Sequence, residues 1–365
     1  MTSAYEILAQ LKRTASGPMT EARGAEPAFY WNEEVASAEE NAIFRHDWVC
    51  PGLASEIPDV GDYLTFSIAG EPVFSVRDSS GEIKTYANIC RHRMMQLLQG
   101  RGRTSRVTCP YHAWSYNLQG QLVGAGHMNH SVGFDKTKIC LPQIRTEIWN
   151  GWIYITLNPD AQSMREALAP LNDVVARYGM EHYVAVLNEE HVWQTNWKLL
   201  TENFMEGYHL PVAHKATVGA WFAPNKTVFP DQSYDSFTYQ TFAKTHAARY
   251  GQAHPDNTRL TGEWRNTSIL PTVFPTHMYV LAPDHLWYLS LRPRGVGAVD
   301  VRFGVAIAPE VDATLTDTAE RAAWIRDLVV FFRACERRGS PCGRRHLCRF
   351  TVVVCVARTT ELAEA

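Results

Sequence analysis

The sequence predicts an α+β protein in which a small all-β domain precedes a larger domain built around an antiparallel sheet. Between about residues 48 and 157, short β-like runs such as 63–68 and 152–157 alternate with turn signals. Alternating apolar and polar residues from about 227 to 307 indicate the second sheet, and a helix is predicted over about 316–332. Strand runs and helix runs that are separated along the chain in this way are typical of an α+β fold.

The length of the chain fits this division. The 365 residues, of which 45% are hydrophobic, are enough for about two domains of ~150 residues, each able to bury a core. We expect N-terminal helices over 1–44 that pack on the second domain, the small β domain over 45–158 and the larger domain over 159–332. Residues 333–365 form an atypical tail whose composition differs from the rest.

Charge and apolar content exclude several classes of protein. The formal net charge is -3 and 20% of the residues are charged, without a basic stripe for nucleic acid or a polybasic membrane anchor. No run approaches the ~18 apolar residues of a membrane-spanning helix, and residues 1–10 lack the basic-then-apolar order of a secretory signal. We therefore expect a cytoplasmic protein without nucleic-acid or membrane partners, whose 8 cysteines are metal ligands or reduced thiols.

The first candidate metal site combines two short pairs, Cys90-x-His92 and Cys109-x-x-His112. Each pair offers one thiolate and one imidazole. Two loops of this kind suit a [2Fe-2S] cluster in which two cysteines hold one iron and two histidines hold the other. Neutral imidazoles reduce the negative charge on such a cluster and raise its reduction potential. A structural zinc site remains an alternative, although zinc knuckles usually pair cysteine with cysteine. A second alternative is that the four residues are unrelated members of the core.

The second candidate metal site lies in the segment 202–214. On a helix, Asn203, Glu206 and His209 lie three apart and share one face, and Pro211 is expected to end or kink the helix so that His214 turns back towards His209. Two histidines and one carboxylate from elsewhere form the facial triad of non-haem Fe(II) enzymes. Two half-buried histidines that cap a helix are the structural alternative.

Both motifs resemble one known family. The string Cys-x-His, followed after sixteen intervening residues by Cys-Pro-Tyr-His-x-Trp, resembles the Rieske ferredoxin domain of the ring-hydroxylating oxygenase α-subunits. The string Asn-x2-Glu-x2-His-x4-His is similar to the mononuclear iron motif of the same oxidoreductases. The resemblance implies a [2Fe-2S] cluster, a mononuclear Fe(II) and a helix-grip catalytic domain.

Glu206 narrows the resemblance to one branch, because most members carry aspartate at that position. The segment resembles the branch that acts on quaternary ammonium compounds, namely the glycine betaine, proline betaine (stachydrine) and carnitine oxygenases. By that resemblance, Asn203 belongs to the catalytic segment and His209 and His214 bind the iron. Glu206 is then a bridge for electron transfer between His209 and a cluster histidine of the neighbouring subunit in a head-to-tail homotrimer.

The implied activity is a Rieske monooxygenase reaction. With dioxygen, the enzyme would hydroxylate an N-methyl group of a small-molecule substrate, and the product would release formaldehyde, which completes the demethylation. No nucleotide-binding glycine motif is present, so a separate flavin and ferredoxin-type reductase must supply the electrons. Trp221 and Phe222 are the candidates for contact with the cationic substrate. An aromatic ring dioxygenase and an electron-transfer Rieske protein with a disabled oxygenase site remain as alternatives.

The third iron ligand of the family, an aspartate near the C-terminus, has no counterpart in this sequence. After Phe332 the chain becomes rich in arginine and cysteine, has no lysine and lacks helical periodicity. We hypothesise a frameshift near Arg333, with the aspartate once encoded across Gly339 and Ser340. Asp317 and Asp327 are nearby carboxylates that could substitute. A second metal site among the tail cysteines is the other interpretation, but their spacing fits no common zinc motif.

Overall fold

The computed structural model describes residues 3–18, 21, 23–128, 130–215, 218–221, 227–244 and 249–339, without the side chains of 220, 221 and 333–339. The chain divides into two compact units. One unit consists of residues 40–169, and the other combines residues up to 39 with those from 170 onwards. We call them the 40–169 unit and the helix-and-sheet unit.

Helices occur near both ends of the chain and also between strands in its middle. The helices are α1 (Ala4–Ala15), α2 (Pro27–Trp31), α3 (Glu33–Glu39), α4 (Met164–Ala167), α5 (Ala169–Val175), α6 (Trp197–Phe204), α7 (Leu210–Ala213), α8 (Pro309–Thr314) and α9 (Thr318–Gly339). The strands are β1 (Val49–Leu53), β2 (Asp62–Ile68), β3 (Glu71–Arg77), β4 (Ile83–Ala87), β5 (Arg101–Arg103), β6 (Val107–Thr108), β7 (Ser115–Tyr116), β8 (Leu122–Gly124), β9 (Gln143–Trp149), β10 (Trp152–Thr156), β11 (Val184–Trp193), β12 (Thr227–Val228), β13 (Phe237–Ala243), β14 (Thr267–Val273), β15 (His277–Leu281), β16 (His285–Arg294) and β17 (Ala298–Ile307).

The 40–169 unit contains a seven-stranded antiparallel sheet and a smaller three-stranded one. The larger sheet has the order β1-β10-β9-β4-β3-β2-β5, and the smaller has the order β6-β7-β8. The predicted turn after β2 is observed, because Ala69 and Gly70 both adopt positive φ angles, of 45° and 75°. An apolar cluster lies beneath the loops that carry the Cys and His pairs. Its members include Phe74, Val76, Tyr86, Leu97, Val107, Leu118, Leu122 and Leu141.

The helix-and-sheet unit contains the second sheet, which is also antiparallel. Its order is β11-β17-β16-β15-β14-β13-β12. Trp287 on β16 lies 5.8 Å from the ring of Phe204 on α6 and 5.6 Å from the ring of Phe332 on α9, between ring centroids. Helices α6 and α9 therefore pack on the same face of this sheet. The predicted α+β class is confirmed, because both large sheets are antiparallel and helices accompany them.

The border between the units differs from the predicted limits at 44/45 and 158/159. Contacts beyond residue 158 keep that segment with the small sheets. Glu147 on β9 accepts hydrogen bonds from the hydroxyl of Ser163 and the backbone N of Met164, both at 2.8 Å. The indole of Trp48 donates to the carbonyl of Gln162 at 2.8 Å. The compact unit accordingly extends to residue 169.

Helix α9 also differs from the sequence prediction. A helix was expected over about 316–332, followed by a tail without helical periodicity, whereas α9 continues to Gly339. The physical reason is that alanine, glutamate and arginine, which dominate 333–338, all have high helix propensity even where no apolar stripe is present. Among the helices in the described part of the chain, none has both the length and the hydropathy of a membrane span.

Candidate metal centres

Two loops of the 40–169 unit are built alike and present the Cys and His pairs. In each loop the cysteine N–H donates to the carbonyl of the residue five positions later, and the residue four positions later donates back to the cysteine carbonyl. The bonds are Cys90 to Met95 (2.8 Å), Met94 to Cys90 (3.1 Å), Cys109 to Trp114 (2.8 Å) and Ala113 to Cys109 (3.1 Å). Met94 and Ala113 both have a φ angle of 56°. The loops therefore form a matched pair of tight turns.

In each pair the cysteine side chain lies deeper in the protein than the histidine side chain. Cys90 and Cys109 are buried, whereas the rings of His92 and His112 lie 4.7 Å apart nearer the surface. The ring of His92 stacks on Trp114 at 4.8 Å with an angle of 9° between planes. Two inner sulfur atoms and two outer imidazoles are the donor set that a [2Fe-2S] cluster of this type requires.

The ring of His92 shows how well the site fits such a cluster. Its Nδ1 is buried and accepts or donates no hydrogen bond within the described residues. A buried polar atom without a partner is costly, and a metal ion would satisfy it. Desolvation, together with the neighbouring His112 and Arg93, lowers the pKa of His92. A lowered pKa favours the neutral imidazole, which is the form that binds metal.

Tyr116 contacts this site, although its importance was missed in the sequence. Its hydroxyl oxygen lies 3.4 Å from Sγ of Cys90 and accepts a hydrogen bond from the backbone N of Arg91 at 3.0 Å. Burial, and then the Cys90 sulfur, raises the pKa of Tyr116 above its usual range. The signal was its position two residues after Trp114, on a strand that leads out of the second loop.

A single zinc ion fits the geometry less well than a cluster. Across the residues that the structure describes, no three His, Cys, Asp or Glu side chains approach closely enough to bind one ion. A tetrahedral zinc would draw all four ligands around one centre. In a two-iron cluster, each metal takes only two protein ligands. The arrangement therefore favours the cluster.

The second candidate site lies between α6 and α7, in a turn rather than on one helix. We expected Asn203, Glu206 and His209 to share a helix face and Pro211 to end that helix. Both expectations are wrong: α6 ends at Phe204, and Pro211 instead lies in the first turn of α7. Proline is favoured there because the first helical N–H groups need no intrahelical partner.

Glu206 organises this turn. One of its carboxylate oxygens accepts from the backbone N atoms of Tyr208 and His209, the latter at 3.2 Å. The other oxygen bonds to Nδ1 of His209. The rings of His209 and His214 lie 5.2 Å apart, with His214 buried and His209 half-buried. A carboxylate at Nδ1 fixes the ring and leaves Nε2 available for a metal ion.

A third ligand does not join these two histidines in the described part of the chain. Asp317 caps the N-terminus of α9, where it accepts from the backbone N of Ala319 at 2.9 Å and of Glu320 at 2.8 Å. Asp327 forms an exposed ion pair with Arg249 at 2.5 Å. Neither substitute considered from the sequence is therefore a ligand. Within the described ranges, the residues supply two of the three ligands of a mononuclear iron site, so they fit that metal only in part.

The remaining predicted site residues have less defined surroundings. Asn203 is half-buried on α6. Trp221 ends a short helical turn, Val218–Trp221, and its side chain lies outside the description; Phe222 lies outside the described residues altogether.

Comparison with known proteins identifies both units. Residues 47–142 match the family model described as Rieske [2Fe-2S] domain. Residues 180–334 match the model described as ring hydroxylating alpha subunit (catalytic domain).

Curated relatives point in the same direction. The chain is 34% identical over 218 residues to the glycine betaine monooxygenase oxygenase subunit of Chromohalobacter salexigens, which covers 58% of this chain and 49% of that protein. It is 33% identical over 189 residues to the carnitine monooxygenase oxygenase subunit of Escherichia coli (strain K12), covering 51% and 50%. The chain thus spans about half the length of the curated relatives it matches.

Solved structures share the fold. A quaternary ammonium Rieske monooxygenase, CntA, superposes with a TM-score of 0.73 at 21% identity, over 87% of this chain and 82% of that one. Naphthalene 1,2-dioxygenase from Rhodococcus sp. gives 0.72 at 23% identity, over 92% and 85%. With a Rieske domain followed by the catalytic domain of a ring-hydroxylating α subunit, the chain belongs to the Rieske non-haem iron oxygenase family.

Proposed function

We propose that this chain is the oxygenase component of a Rieske monooxygenase that hydroxylates an N-methyl group of a quaternary ammonium compound. The observation that carries the proposal is the contact between Glu206 and Nδ1 of His209 beside His214. It fixes the ring of His209 in the orientation of a metal ligand and uses glutamate where the resemblance implies that most of the family has aspartate. Relatives at 33% and 34% identity are named for carnitine and glycine betaine.

The residues of the two sites have separate roles in this proposal. Cys90, His92, Cys109 and His112 hold the [2Fe-2S] cluster, which supplies single electrons when bound. His209 and His214 hold Fe(II), which supplies the activation of dioxygen when bound. The side chain of Glu206 is 37% exposed, so that it can also receive a histidine of a neighbouring subunit while it orients His209.

The overall reaction balances with an external reductase. Dioxygen, two electrons and two protons convert the N-methyl group to N-hydroxymethyl and water, and the hemiaminal then releases formaldehyde. A flavin and ferredoxin-type reductase is the partner that we propose. We also propose a homotrimer in the cytoplasm. The bridging role of Glu206 requires a neighbouring subunit, which such an oligomer supplies.

The incomplete iron site limits this activity. Two neutral histidines bind Fe(II) weakly and leave its charge uncompensated. The match to the catalytic-domain model stops at residue 334, beside the change of composition at Arg333. This agreement supports the frameshift hypothesis. A sequenced gene with a family-like aspartate in the second reading frame is the expected result, and an intact frame without one would refute the hypothesis.

A second candidate function follows from the same observation. Because no carboxylate completes the triad among the described side chains, the chain could act only as an electron-transfer Rieske protein with a disabled oxygenase site. In that case the cluster is reduced and reoxidised normally, but no substrate stimulates oxygen use.

The test is oxygen uptake and formaldehyde release by the purified chain with a reductase. Glycine betaine and carnitine are the test substrates, and naphthalene is the ring-hydroxylation control. We expect slow uptake stimulated by one of the quaternary ammonium compounds, with formaldehyde in proportion. Cluster turnover without any substrate-stimulated uptake would replace the first proposal with the second.

A further inference from the structure

Polar side chains connect the N-terminal helices to the helix that precedes the candidate iron ligands. Nζ of Lys198 on α6 donates to Oε1 of Glu39 on α3 at 2.7 Å, with only 6% and 8% of the two side chains exposed. The indole of Trp197 donates to the other oxygen of Glu39 at 3.1 Å. Both carboxylate oxygens of Glu39 are therefore used by α6.

A second set of contacts joins α2 to the same helix. The hydroxyl of Tyr30 donates to the carboxylate of Glu202, with its oxygen 2.9 Å and 3.0 Å from the two acceptor atoms. The side-chain amide of Asn196, which caps the N-terminus of α6, donates to the carbonyl of Tyr30 at 2.7 Å. The ammonium of Lys198 also lies 4.7 Å from the ring centroid of Phe29.

This polar network fixes orientation more than it adds stability. A buried ion pair contributes little net free energy compared with apolar packing, but removal of one partner leaves an uncompensated charge. Tyr30 is the described donor to Glu202, and burial raises the pKa of that carboxyl. Helix α6 can therefore adopt few other rotations without breaking several buried contacts.

The far end of α6 leads directly into the candidate iron site. The side-chain amide of Gln240 on β13 donates to the carbonyl of Phe204, the last residue of the helix, at 3.0 Å. Glu206 follows two residues later. Glu206 and His209 closely follow this eight-residue helix in the chain. A small rotation of the helix would therefore displace both residues.

We propose that Tyr30 and Lys198 are positioning residues for the iron ligands: through Glu202 and Glu39, the N-terminal helices set the orientation of α6 and of the turn with Glu206 and His209. The inference rests on the proposed function for its meaning, since that function makes His209 and His214 metal ligands. The coupling between the N-terminal helices and this turn can be measured without enzymatic turnover. Disruption of the network should loosen the 205–215 segment specifically.

Hydrogen–deuterium exchange of the full chain tests this coupling. Tyr30→Phe and Lys198→Met should each speed exchange of the 205–215 segment by about fivefold, the factor expected for loss of a buried hydrogen bond. Exchange of the cluster loops over 88–117 should not change. Lys198→Arg keeps the charge that faces Glu39 and should restore slow exchange. Tyr5→Phe, at an 81% exposed position on α1, is the matched control.

A second control separates positioning from general destabilisation. Leu328→Ala removes a fully buried side chain from α9 and should lower the melting temperature without a specific effect on 205–215. Equal acceleration of that segment by Leu328→Ala would overturn the proposal, and so would unchanged exchange in Tyr30→Phe and Lys198→Met. Absence of oxygenase activity with the expected exchange pattern would refute only the proposed function.

Discussion

The hydroxyl oxygen of Tyr116 lies 3.4 Å from Sγ of Cys90, a sulfur that is fully buried. The backbone N–H of Arg91 donates to the same oxygen at 3.0 Å. That bond occupies a lone pair of the phenol and leaves its proton free to point to the sulfur. A donor aimed at a ligand thiolate stabilises added negative charge and hence the reduced cluster.

Replacement of Tyr116 by phenylalanine should therefore lower the reduction potential of the cluster. We expect a decrease on the order of tens of millivolts, because hydrogen bonds to cluster sulfurs are among the determinants of the potential. Redox titration followed by electron paramagnetic resonance measures it. Tyr111→Phe, at a 60% exposed position next to His112, is the control and should change the potential little. An unchanged or higher potential in Tyr116→Phe would contradict the inferred direction of the hydrogen bond.

Glu206→Gln should weaken the iron site without loss of the fold. The amide cannot hold Nδ1 of His209 by a charge-assisted bond, and removal of such supporting groups typically costs 10–100-fold in metal affinity or activity. We expect a decrease of that order in substrate-stimulated oxygen uptake while the cluster spectrum is retained. Glu82→Gln, an exposed carboxylate of the other unit, is the control. Full activity in Glu206→Gln would show that Glu206 has no such role.

Gly339→Asp should supply the missing third ligand. Helix α9 extends to Gly339, and the frameshift hypothesis places the aspartate of the family across Gly339 and Ser340. We expect a tighter Fe(II) complex and faster substrate-stimulated oxygen uptake than in the unmodified chain. Val330→Asp adds a carboxylate at a 66% exposed position of the same helix and should do neither. Equal behaviour of the two variants would refute a ligand position at 339.

Lys244 should make the stability of the helix-and-sheet unit depend on pH. Its ammonium donates to the carbonyls of Tyr250 and Gly251 at 3.0 Å and 2.9 Å, and burial lowers its pKa to about 8, although Asp284 opposes the shift. Between pH 8 and about 10 the unfolded lysine keeps a proton that the folded one has lost. Stability therefore rises with pH over that window.

Urea unfolding of the unmodified chain and Lys244→Met at several pH values measures this effect. The unmodified chain should gain about 1–2 kcal/mol relative to the variant between pH 7.5 and pH 10, a value reduced for partial solvent exposure. Parallel pH profiles for the two proteins would contradict the lowered pKa. The comparison uses the pH dependence of the free energy of unfolding and not its absolute value, because the Lys244→Met substitution also removes two hydrogen bonds.

The sequence was most informative where chemistry is local. The spacing of Cys90, His92, Cys109 and His112 identified the first site because each pair lies within one tight turn, whose form depends on a few neighbouring residues. The end of α6 at Phe204 was not predictable in the same way. It depends on Gln240, on a strand 36 residues later, which bonds to the last carbonyl of the helix.

Long-range partners explain the other omissions. Glu39 and Lys198 are 159 residues apart, and each alone reads as an exposed charge on a helix. Likewise, Tyr116 reads as an ordinary strand aromatic until the first loop brings Cys90 against its hydroxyl. Periodicity predicts which face of an element is apolar, but it does not indicate which distant polar groups share a buried contact.

We infer that the chain holds a complete [2Fe-2S] cluster and that its described residues provide only two protein ligands for a mononuclear iron. Iron and acid-labile sulfide per chain, measured after anaerobic purification and dialysis against a chelator, test it most directly. We predict about two irons and two sulfides in the unmodified chain, and a third iron retained in Gly339→Asp. Three irons retained by the unmodified chain would show that a third ligand exists, and absence of sulfide would exclude the cluster; either result would contradict the claim.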